Sequence, residues 1–326
     1  MENSKLYFIR GVSHRPEFNL AAEEYLLKSK GDSYISVWVN SPAVIVGINQ
    51  NTAEEVNLDY TRENGIRVVR RQTGGGAVYH DGGNICYTII DAFDSERDNY
   101  RHFTSGVIGY LKTLGVSAEF SGRNDLTIGG KKFSGNAQCV YKNRIMHHGT
   151  VMFDTDTSAL TGALRPNKFK VESKGIKSVR SRVTNVSEHL ADKMTAEEFF
   201  NGLCSYLSKG AEEYVLTPDD IKAIEALADG KYSSFDWNVG RSPKAEYSAE
   251  QRFTFGIVKA SYSIEGGMLS AVALSGDFFS HGDVKALCES LCGLPFERSS
   301  ITTALKDVGR FILGATPENI ADLFFN

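Results

Sequence analysis

The sequence predicts an α+β fold, in which a large mixed and mostly antiparallel sheet domain precedes a small C-terminal α/β domain. Strand-like segments arrive in clusters without a helix after each strand, which disfavours a doubly wound parallel sheet. The 326 residues exceed the roughly 100–150 of a typical domain. The segment Arg241–Glu246 resembles a connector between two parts of different character. We therefore expect domains at residues 1–246 and 247–326.

Residue patterns predict the elements of the large domain in turn. Residues 16–27 begin with proline and acidic residues and space their apolar side chains as a helix does. The β-branched and aromatic segments Tyr34–Val39 and Ala43–Gly47 predict a β-hairpin. The further predicted strands are Arg67–Arg70, Ala77–Tyr79, Asn84–Ile90, Asp125–Ile128, Lys131–Val140, Arg144–Met146 and His148–Phe153. The further predicted helices are Tyr100–Leu114, Thr195–Ser208 and Pro218–Ala228.

The small domain is predicted to contain a hairpin and helices. Strand Arg252–Ile264 meets its partner Met268–Leu274 across a turn at Glu265–Gly267. The last helix starts at Thr316, with threonine as the N-cap and proline in the first turn.

Composition excludes several classes of function. No apolar run approaches the roughly 20 residues that cross a bilayer, and the first residues lack a signal-peptide pattern, so a cytoplasmic protein without membrane association is expected. The net charge of −4 argues against non-specific nucleic-acid binding as the main task. The five cysteines show no metal-ligand spacing and are expected to be small buried side chains, with Cys288 and Cys292 filling apolar positions of one helix.

The strongest local feature is the segment Arg70–Asp81, in which two arginines precede Thr73 and three glycines. Bare glycine backbone permits close ligand approach, and the arginines favour a phosphate or carboxylate. No Gly-Lys-Ser/Thr follows, so this is not a Walker A loop, and no helix follows as in a dinucleotide fingerprint. A flexible turn is the simpler interpretation, but paired arginines fit an anion better.

Two further segments contain candidate site residues. Gly129-Gly130 can close a tight hairpin that sends Lys131 and Lys132 to opposite faces of the next strand. Of the adjacent His147 and His148, at most one can face a site, and a structural role is the simpler interpretation for each. The basic segment Lys170–Val186 could be a solvated loop or a mobile lid that excludes water.

Five motifs in the same order resemble the lipoate/biotin protein ligase superfamily, and are most similar to the bacterial lipoate–protein ligase A family in its two-domain form. They are Arg70–Asn84, Gly122–Asp125, Lys132–Ala137, His147–Thr150 and Lys174–Asn185. The resemblance implies the biotin/lipoate ligase type of fold. It also implies that ATP-Mg²⁺ activates lipoate to lipoyl-AMP, and that the lipoyl group then passes to a lysine ε-amine.

The resemblance also implies roles for individual residues. Lys132 is the catalytic lysine that contacts the carboxyl and phosphate groups. Residues implied to bind ATP or the adenylate are Arg71, Gly76, Ala77, Val78, Tyr79, Asn124, Asp125, Gly175, Ser178, Val179, Arg180 and Val183, with Asp125 the candidate Mg²⁺ ligand. Residues implied to bind lipoate, together with Lys132, are Arg70, Gly74, Gly75, Asn84, His148 and Gly149. The implied acceptors are lipoyl domains of 2-oxoacid dehydrogenase E2 subunits or the glycine-cleavage H protein, and a monomer is expected.

Two related activities remain as alternatives. An acyl-carrier-dependent octanoyltransferase of the same fold would attack with a cysteine and need no ATP; Cys139 is the candidate, although it sits in an ordinary strand. A transferase that uses preformed lipoyl-AMP would lack only the activation step. A non-enzymatic protein that merely binds acyl domains would leave the glycine–arginine segment and Lys132 without a role. Neither the preferred acceptor nor the choice between lipoate and octanoate follows from the sequence.

Overall fold

The computed structural model describes residues 5–165, 182–240 and 245–325, and the chain divides into two compact units. The first unit comprises Met1–Ile45, Val56–Val69 and Val78–Ser234. The second comprises Val46–Glu55, Arg70–Ala77 and Phe235–Asn326. The second unit therefore takes two early segments of the chain as well as the C-terminal part, and the domain boundary at residue 246 stays a prediction from the sequence.

Strands and α-helices alternate irregularly along the described residues. In chain order, the strands are β1 (Leu6–Arg10), β2 (Ser33–Val39), β3 (Ala43–Val46), β4 (Arg67–Arg70), β5 (Val78–His80), β6 (Asn84–Ala92), β7 (Ala118–Ser121), β8 (Asp125–Ile128), β9 (Lys131–Tyr141), β10 (Arg144–Met152), β11 (Glu212–Glu213), β12 (Tyr247–Phe253), β13 (Gly256–Glu265) and β14 (Met268–Gly276). The α-helices are α1 (Pro16–Ser29), α2 (Thr52–Glu55), α3 (Leu58–Glu63), α4 (Asn99–Thr113), α5 (Thr157–Ala163), α6 (Ala196–Leu207), α7 (Pro218–Leu227), α8 (Phe235–Asn238), α9 (Val284–Leu291), α10 (Arg298–Ala304) and α11 (Pro317–Phe325).

The first unit is built on a large sheet with strand order β11-β1-β2-β6-β10-β9-β8-β7. The pairs β11–β1 and β1–β2 are parallel, and the pairs from β2 to β7 are antiparallel. The prediction of a mixed, mostly antiparallel sheet is therefore confirmed. Strand residues alternate between its faces, so His147 packs 5.4 Å from the Phe103 ring of α4 while His148 faces Glu23 of α1. A hydrophobic core of α4, α6 and sheet side chains lies on the His147 side.

The predicted hairpin of β2 with β3 is wrong. Both segments are strands, but β2 pairs with β6 in the large sheet while β3 pairs with β5 in a separate sheet of order β4-β3-β5. Asn40, at the end of β2, stabilises the switch, because its buried amide binds Asn19 and His80 of neighbouring segments at 2.8 and 3.0 Å. The β2–β3 connection and the β5–β6 connection thus both link the large sheet to the β4-β3-β5 sheet.

Most of the other predicted helices and strands correspond to elements of the structure, with some differences in their bounds. The helices α1, α4, α6 and α7 are confirmed within about two residues at each end. The predicted strands Arg144–Met146 and His148–Phe153 are one continuous strand, β10. The predicted strand Arg252–Ile264 is interrupted before Gly256, which separates β12 from β13. No helix in the described ranges is both long and apolar enough to cross a membrane.

The second unit has its own core beneath the antiparallel sheet β12-β13-β14. Helix α9 packs on β14, and fully buried Leu291, Ile301 and Ile320 come from the three C-terminal helices. Thr316 caps α11 as predicted, accepting a hydrogen bond from the Asn319 N–H at 3.3 Å. All five cysteine thiols of the chain are free, and Cys288 is buried; Cys292 is exposed at the end of α9, so its predicted burial is wrong.

A buried carboxylate on α7 joins this helix to α1 and to the segment after β11 in the first unit. Asp220 accepts hydrogen bonds from the hydroxyls of Tyr25 and Tyr214, each at 2.7 Å, and its Oδ1 lies 2.7 Å from Lys30 Nζ. Burial alone raises the pKa of Asp220, but the bonds from Lys30 and Tyr25 outweigh it and hold the pKa well below its ordinary value.

Asp220→Asn should lower the free energy of unfolding by about 3 kcal/mol at pH 7, because the Lys30 ammonium loses its buried partner. Since the pKa of Asp220 is lower in the folded chain, this stabilisation is present above roughly pH 4 and is lost as the pH falls. Urea unfolding of both proteins at a series of pH values measures the difference. A difference that widens toward low pH would contradict the assignment.

Candidate active site

The glycine segment Gly74–Gly76 lies in the second unit, where its backbone is packed closely against other main chain. A Cβ on Gly74 would lie 2.5 Å from the Phe278 carbonyl oxygen, and one on Gly47 would lie 2.1 Å from that of Gly75. Gly75 adopts φ +87°, a left-handed conformation that favours glycine. At Gly74, the missing side chain thus makes room for the protein's own backbone.

Arg71 shapes this segment from within. Its guanidinium donates to Thr73 Oγ1 at 2.8 Å and to the carbonyl oxygens of Gly74 and Gly76 at 2.5 and 2.9 Å. The side chain is buried, so these bonds form in a medium where charge-assisted hydrogen bonds are strong. Arg71 therefore fixes which way the peptide groups of the glycine segment point.

Arg70 is almost wholly buried and binds the protein itself. Its Nη1 donates to the carbonyl oxygens of Gly47, Ile48 and Gln50 at 2.6–3.2 Å. Its Nη2 donates to Thr52 Oγ1 and its Nε to the Trp237 carbonyl, at 2.7 and 2.9 Å. Every nitrogen of the guanidinium therefore has a protein acceptor, which gives Arg70 a structural task. Its predicted contact with lipoate stays a prediction.

Lys132 lies in the first unit, on the hairpin predicted for it. Gly129 and Gly130 both have positive φ, 56° and 76°, and join β8 to β9 in a two-residue turn. Lys131 is exposed, whereas Lys132 is only partly so, and its Nζ lies 2.7 Å from Asp125 Oδ1. The prediction that the two lysines point to opposite faces is confirmed for this hairpin.

Gly135 provides the room that the Lys132 ammonium occupies. A Cβ at position 135 would lie 3.0 Å from Lys132 Nζ and 3.1 Å from its Cε. Gly135 shares a face with Ala137, which is paired with His148, because strand residues two apart point to the same side. The Lys132 ammonium and the His148 ring therefore lie on the same face of the sheet, the face that α1 covers.

Two other predicted lipoate-binding residues have contrasting positions. Asn84 is buried on the same face as His148, and its amide donates to Cys86 Sγ at 3.3 Å. Gly149 faces the opposite side, since a Cβ there would lie 2.1 Å from Asn136 Oδ1 and 2.5 Å from the Tyr87 ring. The side chains of Lys132, Asn84 and His148 therefore lie on one face of the sheet. Gly149 is required on the other face, where a side chain would overlap Asn136 and Tyr87.

Glu23 on α1 is a partner of the candidate site residue His148 that the sequence patterns did not predict. Its carboxylate lies 2.9 and 3.1 Å from His148 Nδ1 and accepts a hydrogen bond from Thr88 Oγ1 at 2.5 Å. Thr88 in turn accepts from Trp38 Nε1 at 3.0 Å. In the sequence, an acidic residue at a helix position expected to be apolar was the one sign that Glu23 has a buried partner. The adjacent Glu24 made that sign ambiguous.

The remaining predicted nucleotide-binding residues are only partly described. Gly175, Ser178, Val179 and Arg180, and most of the predicted lid, lie outside the described residues. Val183 is described and forms a parallel bridge with Lys132. Tyr79 is buried on β5 beside Val44, and Val78 pairs with Ile45. Ala77 follows the glycine segment and belongs to the second unit. Burial, with Asp81 adding to it, raises the pKa of Tyr79 to about 12.

Asn124 and Asp125 differ in what they offer a ligand. The Asn124 amide donates to the Asn136 carbonyl at 2.7 Å, and Asn136 returns a bond to the Asn124 carbonyl at 3.1 Å. Asp125 keeps a partly exposed carboxylate beside Lys132. Within the described ranges no three His, Cys, Asp or Glu side chains cluster as a metal site. The role of Asp125 as a Mg²⁺ ligand stays a prediction from the sequence.

Cys139, the candidate nucleophile of the transferase alternative, lacks the environment of an active thiolate. Burial, with Glu23 adding to it, raises the pKa of the Cys139 thiol to about 12. Nucleophilic cysteines instead have a lowered pKa beside positive charge. The cysteine mechanism therefore has no support at this position.

Arg70→Lys should lower the free energy of unfolding of the second unit by about 3 kcal/mol, because an ammonium cannot reach the acceptors that the guanidinium joins. Hydrogen exchange of peptides from 46–55 and 235–240 would measure the loss of protection. Arg62→Lys, on an exposed pair with Asp59, serves as the control and should change stability by less than about 0.5 kcal/mol. Equal effects of the two substitutions would contradict the role given to Arg70.

Two family models match this chain. One, the lipoyl protein ligase A/B catalytic domain, covers residues 15–208. The other, the bacterial lipoate protein ligase C-terminus, covers residues 242–324. Lipoate-protein ligase LplJ of Bacillus subtilis is 43% identical over 320 residues, covering 95% of this chain and 97% of its own. Lipoate–protein ligase 1 of Staphylococcus aureus is 42% identical over 297 residues, covering 90% of each chain.

Solved structures agree with this assignment. The fold matches LipL1 of P. falciparum, solved in complex with lipoate, at a TM-score of 0.78, 24% identity and 97% coverage of both chains. A bipartite lipoate protein ligase of Thermoplasma acidophilum, analysed with its E2 lipoyl domain, matches at a TM-score of 0.66 and 28% identity, covering 75% of this chain and 100% of its own. Lipoate-protein ligase A bound with ATP matches at 0.63 and 27%, covering 73% and 99%. The chain thus belongs to the lipoate–protein ligase family, as a member with both the A/B-type catalytic domain and the bacterial C-terminal domain.

Proposed function

We propose that this chain is an ATP-dependent lipoate–protein ligase that acts as a cytoplasmic monomer. The observation that carries the proposal is the partly exposed Lys132 ammonium, set beside Asp125 and Gly135 on the face that also bears His148. Relatives with this activity in their names align over nearly the whole chain, and a similar structure was solved with ATP. Both findings support activation of lipoate before its transfer.

The proposed reaction has two steps. A carboxylate oxygen of lipoate attacks the α-phosphorus of ATP, the bond from that phosphorus to the bridging oxygen breaks, and pyrophosphate leaves. The ε-amine of an acceptor lysine then attacks the acyl carbon, the bond to AMP breaks, and the amine releases its proton. Negative charge develops on carboxyl and phosphate oxygens in both steps, so a fixed ammonium such as that of Lys132 stabilises both.

Residue roles follow from chemistry and from the family motifs. Lys132 is proposed to contact the carboxyl and phosphate groups. Arg71 and Gly76–Tyr79 are proposed to contact the nucleotide, while Gly74, Gly75, Asn84 and His148 are proposed to line the acyl group. Gly175–Val183 is proposed to bind the adenylate. Mg²⁺, with Asp125 as a protein ligand, would neutralise charge on the phosphates.

The acceptor is proposed to be a lipoyl domain of a 2-oxoacid dehydrogenase E2 subunit, or the glycine-cleavage H protein. A similar archaeal ligase was analysed together with its E2 lipoyl domain, which supports the first class of acceptor.

The pure protein, incubated with lipoate, ATP-Mg²⁺ and a lipoyl domain, should add one lipoyl group to the acceptor, as measured by intact mass. Lys132→Ala should abolish adenylate formation and remain folded, because its side chain is partly exposed. Lys131→Ala is the matched control, being exposed on the opposite face, and should keep near-normal activity.

Other outcomes select other functions. Absence of an adduct with several acceptors would contradict the proposal. Transfer only from synthetic lipoyl-AMP would identify a transferase without activation. Modification from an octanoyl carrier without ATP would identify the cysteine mechanism. Near-normal adenylate formation by Lys132→Ala would remove Lys132 from its role.

Gly135→Ala should slow adenylate formation by roughly 10- to 100-fold, because the new methyl group would displace the Lys132 ammonium from a position where small shifts matter. Gly135 has no positive φ, so alanine leaves the strand backbone unstrained. Gly31→Ala, where a Cβ meets nothing within 4 Å, is the control and should react normally. Equal rates for the two variants would show that position 135 does not act on Lys132.

A further inference from the structure

The main chain of Lys132 is held by a segment far away in the sequence. The Lys132 N–H donates to the Arg182 carbonyl at 2.9 Å, and the Thr184 N–H donates to the Lys132 carbonyl at 3.0 Å. Lys132 and Val183 thus form a parallel bridge, so residues 182–184 act as a one-residue strand beside β9.

This bridge fills a gap in the sheet. On one side, Lys132 pairs with Thr127 of β8, where the register is irregular because Phe133 is an extra residue. On the other side, β10 pairs with β9 only from Asn136 onward. At Lys132 the neighbour is therefore Val183, and without it one edge of the lysine's backbone would have no partner from the sheet.

Asn185 anchors the bridging residues. Its side-chain oxygen accepts from the Thr155 N–H at 3.0 Å, and its amide donates to the Thr155 carbonyl at 3.1 Å. The side chain is buried, and both of its bonds go to main chain that follows β10 closely. A reciprocal pair of this kind fixes position and direction together, as two separate bonds to mobile groups would not.

Thr184 reinforces the same anchor. Its buried hydroxyl donates to Glu188 Oε2 at 3.0 Å and lies 2.8 Å from His189 Nε2. The Ser187 N–H also donates to the Phe153 carbonyl at 3.0 Å. Residues 184–189 are therefore bonded to one another and to the chain at the end of β10, next to the bridge to Lys132.

We propose that Asn185 is a positioning residue for Lys132. Its effect passes through the main chain. Asn185 binds Thr155 and so fixes residues 182–184, and these residues bind the Lys132 backbone. The position of that backbone determines whether the ammonium lies beside Gly135. The consequence for catalysis rests on the proposed function, while the mechanical link does not.

Asn185→Ala should reduce kcat for lipoyl-adenylate formation roughly 10- to 100-fold and leave the KM values for ATP and lipoate within about threefold. Independently of activity, the amides of Lys132 and Thr184 should exchange at least about tenfold faster. That of Cys139 should not change, because the alternation of the β9–β10 ladder directs its N–H to β10. Asn57→Ala, which removes the cap of α3, is the control and should change neither kcat nor these amides.

Hydrogen exchange can also be measured in the wild-type protein, so the proposal can be tested even if Asn185→Ala does not fold. Across a denaturant series, the amides of Thr155, Lys132 and Thr184 should open with one common free energy. Separate opening, unchanged exchange in Asn185→Ala, or equal losses of kcat in Asn57→Ala would overturn the proposal. If the wild type forms no lipoyl-adenylate, the proposed function fails, and the exchange result still decides whether Asn185 holds Lys132.

Discussion

The buried guanidinium of Arg70 is the constraint on which the second unit depends. A buried charge is costly unless its donors are satisfied, and the acceptors of Arg70 are mainly main-chain oxygens of residues 47–50 and of Trp237. Three segments distant in sequence are therefore held around one side chain. This explains why residues 46–55 and 70–77 belong to the second unit. Arg71, next along the chain, then fixes the glycine segment that the first arginine has placed.

In the first unit, the main constraint on the candidate site is the position of the Lys132 ammonium near the turn of a hairpin. The tight turn at Gly129-Gly130 sets the direction of Lys132, Gly135 leaves it room, and Asp125 lies at hydrogen-bond distance. The bridge to Val183 completes the backbone on the open edge. In the role proposed for Lys132, a preorganised ammonium costs no reorganisation while charge develops on the phosphate.

Local features could be predicted from the sequence, and non-local ones could not. The lysine hairpin, the Thr316 cap of α11 and the mixed sheet follow from short patterns, and all three were confirmed. The β2–β3 hairpin failed because β6 and β5, more than 30 residues away, compete as partners. Arg70 suggested an anion site, but its acceptors at Trp237 lie far along the chain, so its structural task had no sequence signal. The partnership of Glu23 with His148 was hidden for the same reason.

In the proposed reaction, the lipoate carboxylate attacks the α-phosphorus of ATP. Lipoate labelled with ¹⁸O in the carboxyl group distinguishes this attack from other routes, because the attacking oxygen stays with the phosphorus when the acceptor lysine displaces AMP. After one turnover with a lipoyl domain, mass spectrometry of the released AMP should find one ¹⁸O per molecule. Lipoylated acceptor accompanied by AMP without the label, or formed without any AMP, would rule out activation of lipoate by this attack.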